Sequence, residues 1–294
     1  MIKYISRKNL DIDKYDKCIN TSLQCRVYAH SWFLDCVSTN WDALVLNDYE
    51  MVMPLPKRIK LGIHYIYPPL LTQQLGIFSK NEISKDIFFK FIQAIPKKFK
   101  KISIPFNSEN KFISPLLSKK KNYIIPLNKP YELIYKDYSK LRKRVLKQAL
   151  TLNLSIKEND SYEKIITLFK EDIDKRTNLT VNDYSIIKKL FEIALEKKIA
   201  KIVGVYDSDN NYCGGVVFLI SNERIYSLFL ASNKEGKKNN AITFANNYII
   251  EKYSNSNYIF DFEGSSISSI EQFFQSFGAE LEEYSFFQKK FSIF

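Results

Sequence analysis

Residues 200–263, AKIVGVYDSDNNYCGGVVFLISNERIYSLFLASNKEGKKNNAITFANNYIIEKYSNSNYIFDFE, carry the pattern from which the fold follows. Residues 200–207 and 212–221 are apolar runs on either side of the turn Ser208-Asp209-Asn210-Asn211, the signature of a strand pair. A third strand is expected over 224–231, then a loop at 233–240, a helix over 241–253 and a strand over 258–263. Upstream the same order recurs with little residue identity. Strands are expected over 41–47, 50–54 and 63–67, and residues 72–79 lead into a helix over 84–95. That helix sets Ile87, Phe88, Phe91, Ile92 and Ile95 at helical spacing, and a strand over 101–105 follows. Both halves read strand, strand, strand, loop, helix, strand. The expected class is α/β, with a mixed, mostly antiparallel sheet and flanking helices in each of two tandem domains.

Between the halves lies a helical region. Residues 138–152 place Leu141, Val145, Ala149 and Leu152 on one face and Lys140, Lys143, Arg144 and Lys147 on the other. Further helices are expected over 162–173 and 183–197. Pro126 and Pro130 interrupt any regular element, so the domains are set at 1–130 and 131–294. A chain of 294 residues with 45% hydrophobic content is long enough for two cores.

No apolar stretch is long enough to cross a bilayer, and residues 1–17 are charged without an apolar signal core, so a cytoplasmic location is expected. Cys18, Cys25, Cys36 and Cys213 lack paired metal-ligand spacing and read as free thiols in a reducing compartment. His30 and His64 lie beside no acidic or cysteine cluster, which speaks against a metal site and against a Ser-His-Asp triad. His30 reads as a helix-start residue packed against Tyr28 and Trp32. The formal charge of +12 fits an acidic partner such as nucleic acid, and it also fits a composition rich in lysine, asparagine and isoleucine.

The expected strand over 258–263 carries the sharpest chemistry. Period-2 alternation puts Phe260 and Phe262 on one face and Ile259, Asp261 and Glu263 on the other, which pairs two carboxylates at the strand's carboxyl end. Neighbouring carboxylates raise one another's pKa, which suits a general base facing an ammonium nucleophile. A structural Asp261, paired with a lysine or capping a helix, is the competing reading. Gly264 and Ser265 permit a tight turn, with Ser265 or Ser266 as N-cap. Gln73 and Gln74 read either as adjacent amides for a polar acceptor or as partners for backbone groups in a buried loop. Tyr226 and Tyr284 are candidate proton donors. Phe273, Phe274 and Phe277, with Ile267 and Ile270, have helical spacing and read as core.

Six segments extend this reading: Tyr15-Asp16-Lys17-Cys18-Ile19, Ser31-Trp32-Phe33-Leu34-Asp35, Met53-Pro54-Leu55-Pro56, Gln73-Gln74-Leu75-Gly76-Ile77-Phe78, Asp261-Phe262-Glu263-Gly264-Ser265, and 273–279 with its Phe277-Gly278-Ala279 ending. In this order, and with the duplication, the chain resembles the GNAT superfamily and within it the Fem-like tandem acyltransferases. The resemblance implies acyl transfer by direct attack of an amine on a donor carbonyl, with a small-molecule or peptide amine as acceptor and no metal. It implies that Lys234, Gly236, Lys237, Lys238, Asn239 and Asn240 form the donor loop, whose backbone N–H groups and following helix hold the pyrophosphate of an acyl-CoA co-substrate. The loop has one glycine where the family pattern has two small residues. Fem-like relatives that use aminoacyl-tRNA have weakened loops of this kind, so both donors stay open. Developing oxyanion charge is expected to meet backbone N–H groups near Leu228 and Leu230 on a splayed strand.

Glu263 is then the expected base, with Asp261 beside it and Tyr284 next in line, while Trp32, Gln73, Gln74, Tyr226 and Ser265 bind substrate. A tyrosine acid common in the helix after this strand is replaced by Phe273 and Phe274. Gln73 and Gln74 stand in place of a phosphate-binding loop, so the first domain is expected to form an acceptor wall and the chain to hold one active site. Two other readings are a tRNA-binding protein using the basic helix and a non-catalytic GNAT fold serving interactions.

Overall fold

A computed structural model describes residues 1–172, 179–264 and 267–290. The chain divides into two compact units, Met1–Lys121 with the segment from Glu282 onward, and Asn122–Leu281.

The first unit contains β1 (Ile2–Ser6), α1 (Ile12–Thr21), α2 (Ser31–Val37), β2 (Trp41–Leu46), β3 (Met51–Lys60), β4 (Ile63–Ile66), β5 (Phe78–Ser79), α3 (Lys85–Gln93) and β6 (Phe99–Pro105). It also takes most of the last strand, β13 (Glu280–Lys289). Strands β2, β3 and β4 form an antiparallel meander, α3 returns the chain, and β6 lies parallel to β4. α3 starts where Ser84 accepts a hydrogen bond from the Ile87 N–H, and it buries Phe88 and Phe91 against Ile66, Ile102 and Phe106.

The second unit starts within β7 (Leu117–Pro126). It continues through α4 (Tyr131–Asp137), α5 (Lys140–Thr151), β8 (Ser155–Glu158), α6 (Tyr162–Asp172), α7 (Val181–Glu196), β9 (Ala200–Tyr206), β10 (Tyr212–Ser221), β11 (Arg224–Ser232), α8 (Lys234–Lys238), α9 (Ala241–Lys252), β12 (Ile259–Asp261) and α10 (Ser268–Gln275). Its strands run in the order β7-β12-β11-β10-β9-β8. Pairing is antiparallel from β8 to β11, parallel between β11 and β12, and antiparallel between β12 and β7. Each unit therefore has three antiparallel strands, a helix, and a strand parallel to the third, which is the duplicated order read from the sequence.

Two packing expectations are corrected. α5 buries Arg142, Leu146 and Ala149, whereas Leu141 is 55% and Leu152 37% exposed. Ala149 is buried as expected, but Arg142 and Leu146 take the places expected of Leu141 and Val145, with the guanidinium of Arg142 finding partners inside. Phe274 and Phe277 are core, but Ile267 is 58% and Ile270 38% exposed. α10 is short and turns its carboxyl-terminal half inward, so its first turn faces solvent.

Candidate functional site

The second sheet opens at β11. Opposite β10, Val217 pairs with Phe229 and Phe218 with Ser227, so Leu228 is an extra residue in a β-bulge. On the other edge only Arg224, Ile225 and Tyr226 pair with β12, opposite Ile259, Phe260 and Asp261. β11 continues to Ser232 while β12 stops. The chain then stays with β7, where the Phe262 N–H donates to the Tyr123 carbonyl at 3.0 Å, and Glu263 turns into the left-handed region at φ 58°. Among the described residues no strand pairs with 227–232 on that edge. A bulged strand parting from its parallel neighbour presents backbone groups to an external partner.

Two corrections concern the carboxylates. The expected strand over 258–263 is only Ile259–Asp261, because its partner ladder on β11 ends at Tyr226. Alternation therefore does not carry on to Glu263, and the two acids do not continue one strand face. Asp261 is fully buried; one oxygen accepts from the Arg224 Nη1 at 2.5 Å and the other from the Glu263 N–H at 2.8 Å. Glu263 is half-buried just past the strand end. Phe260 and Phe262 do share the opposite face, packed with Phe274 and Phe277 in the core.

Tyr226, in register with Asp261, is fully buried. Leu228 is buried and Leu230 half-buried along the open segment. Ser227 donates to Asn246 Oδ1 at 3.2 Å, and the Asn246 Nδ2 is buried without a hydrogen-bond partner among the described residues. Ser265 lies outside the described residues. Trp32, Gln73, Gln74 and Tyr284 belong to the first unit.

The expected loop over 233–240 is also corrected: residues Lys234–Lys238 form the short helix α8, capped by Asn233, which accepts from the Gly236 N–H at 2.7 Å. The Lys237, Asn239 and Asn240 N–H groups donate to the carbonyls of Asn233, Glu235 and Lys237. Four N–H groups of this segment thus close on their own backbone or cap. Gly236 is required by packing, since a Cβ there would lie 2.0 Å from the Cys213 carbonyl oxygen. Lys234, Lys237 and Lys238 are exposed.

Arg142 reaches the first turn of α9 from α5. It donates through Nη1 to the Thr243 hydroxyl and through Nε and Nη2 to the Ser276 hydroxyl at 3.0 and 2.8 Å. Its guanidinium lies 4.4 Å from the ring centroids of Phe273 and Phe277, and burial lowers its pKa to about 10. It has no carboxylate partner among the described residues. Sequence spacing singled out its basic neighbours and not Arg142 itself, although Arg142, Leu146 and Ala149 share helical spacing. Asn246 and Asn247 were missed as well; two asparagines amid apolar residues in a helix oppose local propensity and were the available signal.

In the first unit, the place matching this opening is filled. The Leu75 N–H donates to the Pro105 carbonyl at 2.7 Å, and Leu75 bridges to Phe106. Gln74 is fully buried; its Oε1 accepts from the Ser108 N–H at 2.9 Å and its Nε2 donates to Gln73 at 3.0 Å and Glu282 at 3.4 Å. Trp32 packs edge-on against Phe33, and Tyr284 is half-buried on β13.

No family model matches the chain, and no curated protein matches it by sequence. Solved structures do. FemX superposes with a TM-score of 0.66 at 11% identity over 96% of each chain. A conserved protein of unknown function from Bacteroides thetaiotaomicron gives 0.63 at 12% identity, covering 98% of this chain and 100% of that one. The C-terminal domain of a candidate lysylphosphatidylglycerol synthetase from Agrobacterium fabrum gives 0.59 at 9% identity, over 95% and 92%. At such identities the likeness speaks for architecture alone, and by that measure the chain has the fold of FemX.

Proposed function

We propose that the chain transfers an aminoacyl group from an ester donor, aminoacyl-tRNA, to an amine acceptor in the opening between β11 and β12. The parting of these strands at Tyr226 and Asp261, with the bulge at Leu228, is the observation that carries the proposal. The donor carbonyl lies along 228–230. The acceptor ammonium gives a proton to Glu263, its nitrogen forms the new C–N bond, and the oxyanion is met by β11 N–H groups. Collapse breaks the ester C–O bond, and the leaving oxygen takes up one proton as the amide forms. Asp261, held by Arg224, keeps the strand end and the Glu263 backbone in place.

The α8 segment favours an ester donor over acyl-CoA, since four of its N–H groups are engaged internally and a pyrophosphate would have to displace them. The exposed lysines of α8 and the basic face of α5 suit a polyanionic donor. Thermal shift with charged tRNA and with acetyl-CoA separates the two, because a ligand that binds the native state raises Tm by mass action. Stabilisation by charged tRNA alone is expected. Stabilisation by acetyl-CoA alone would reassign the donor, and a shift with neither would remove acyl transfer as the function.

A further inference from the structure

α9 presents Phe244, Asn247, Tyr248 and Glu251 at i, i+3, i+4 and i+7, one face of the helix. Together with Tyr131 and Tyr135 of α4 and the Leu146–Leu150 turn of α5, they line a cavity of about 420 Å³ within the second unit. Cavities of roughly 300–1,000 Å³ hold small ligands. Along α9 the lining runs from Phe244, in the first turn after Ala241, to Glu251, roughly 10 Å further on.

The lining is chemically selective. Tyr131 donates to Asn247 Oδ1 at 2.9 Å, which leaves the Asn247 amide nitrogen without a partner among the described residues. The Glu251 carboxylate has neither a hydrogen bond nor an ion pair there, in a chain that carries a surplus of +12. Two of the rings already have an ammonium in reach: Lys143 Nζ is 5.6 Å from the Tyr135 centroid and Lys252 Nζ 5.7 Å from that of Tyr248.

We infer that this cavity binds an organic cation, an alkylated ammonium or guanidinium group, between the tyrosine and phenylalanine rings and against Glu251. A purely apolar ligand would leave the amide nitrogen of the buried Asn247 unpaired, and an anion would meet the exposed Glu251 carboxylate. The exposed Lys147 of the lining opposes the cation, as do Lys143 and Lys252 beside the Tyr135 and Tyr248 rings.

Titration calorimetry of the full chain with tetramethylammonium, methylguanidinium and the neutral isostere 3,3-dimethylbutan-1-ol tests the site. The cations should bind and the alcohol should bind more weakly by roughly tenfold, the scale of one well-placed cation–ring or ion-pair contact. Glu251→Gln, an exposed change that leaves the fold alone, should weaken the cations by a similar factor, and Lys147→Ala should tighten them. n-Butylammonium against Nα-acetyl-lysine methylamide distinguishes a free amine from a peptide side chain. Equal binding of alcohol and cation, unchanged affinity in Glu251→Gln, or binding of AMP in place of the cations would each overturn the assignment.

Discussion

Asp261 and Glu263 stand two residues apart and have different surroundings. Asp261 is enclosed with Arg224, so Asp261→Asn leaves a buried guanidinium without its counter-charge and should cost about 3–5 kcal/mol. Replacing both partners, as Arg224→Met with Asp261→Leu, should cost less than the single change; chemical denaturation of the three proteins measures the difference. Glu263→Gln keeps shape and removes the proton acceptor, so turnover should fall by about 10² to 10⁴ while Tm stays near the parent value. Wild-type turnover at every pH would move the base elsewhere. Glu158 supplies a pH handle: burial opposes its ionisation, but hydrogen bonds from Lys252, Tyr248 and Lys201 bring its pKa from 4.5 down to about 2. Its contribution is present above the unfolded value of 4.5 and is lost as pH falls toward about 2. Glu158→Gln should therefore flatten the decline of Tm across that window.

Single elements show where period and turn chemistry were sufficient. The alternation of Phe260 and Phe262 was legible and correct, because β12 holds Phe260 between two ladders and the Phe262 N–H stays bonded to the Tyr123 carbonyl of β7. It failed at the next residue, Glu263, because a left-handed residue resets the side-chain direction and no local pattern announces it. The loop expected over 233–240 is helical over Lys234–Lys238, where Asn233 caps it and Gly236 packs closely on β10. Gly236→Ala should accordingly destabilise by about 1–3 kcal/mol through overpacking against Cys213. A thermal melt indistinguishable from the parent would mean that α8 shifts off β10 at no cost.

At the level of the molecule, the proposed tRNA donor is tested through charge. Lys140, Arg144 and Lys147 of α5 are exposed and Lys143 is half-buried, all on one helical face. Reversing the four to glutamate should abolish binding of charged tRNA and reduce the log–log salt slope by about 0.9 for each phosphate that is no longer neutralised. Filter binding across a salt series reads both quantities. Retained binding with an unchanged slope would exclude this face as the tRNA-binding surface.

The repeated order of strands and helix was determined by hydrophobic periodicity and turn residues alone, because each element must bury one face and those faces are written locally at 2.0- and 3.6-residue spacing. The same logic found Phe88, Phe91, Phe274 and Phe277 in the core. The buried Arg142, the Arg224–Asp261 pair, the partly satisfied Asn246 and the parting of β11 from β12 were decided only in the tertiary structure. Each depends on groups brought together from distant parts of the chain, where a buried polar atom keeps its place only if a partner arrives, and nothing in a residue's own neighbourhood names that partner.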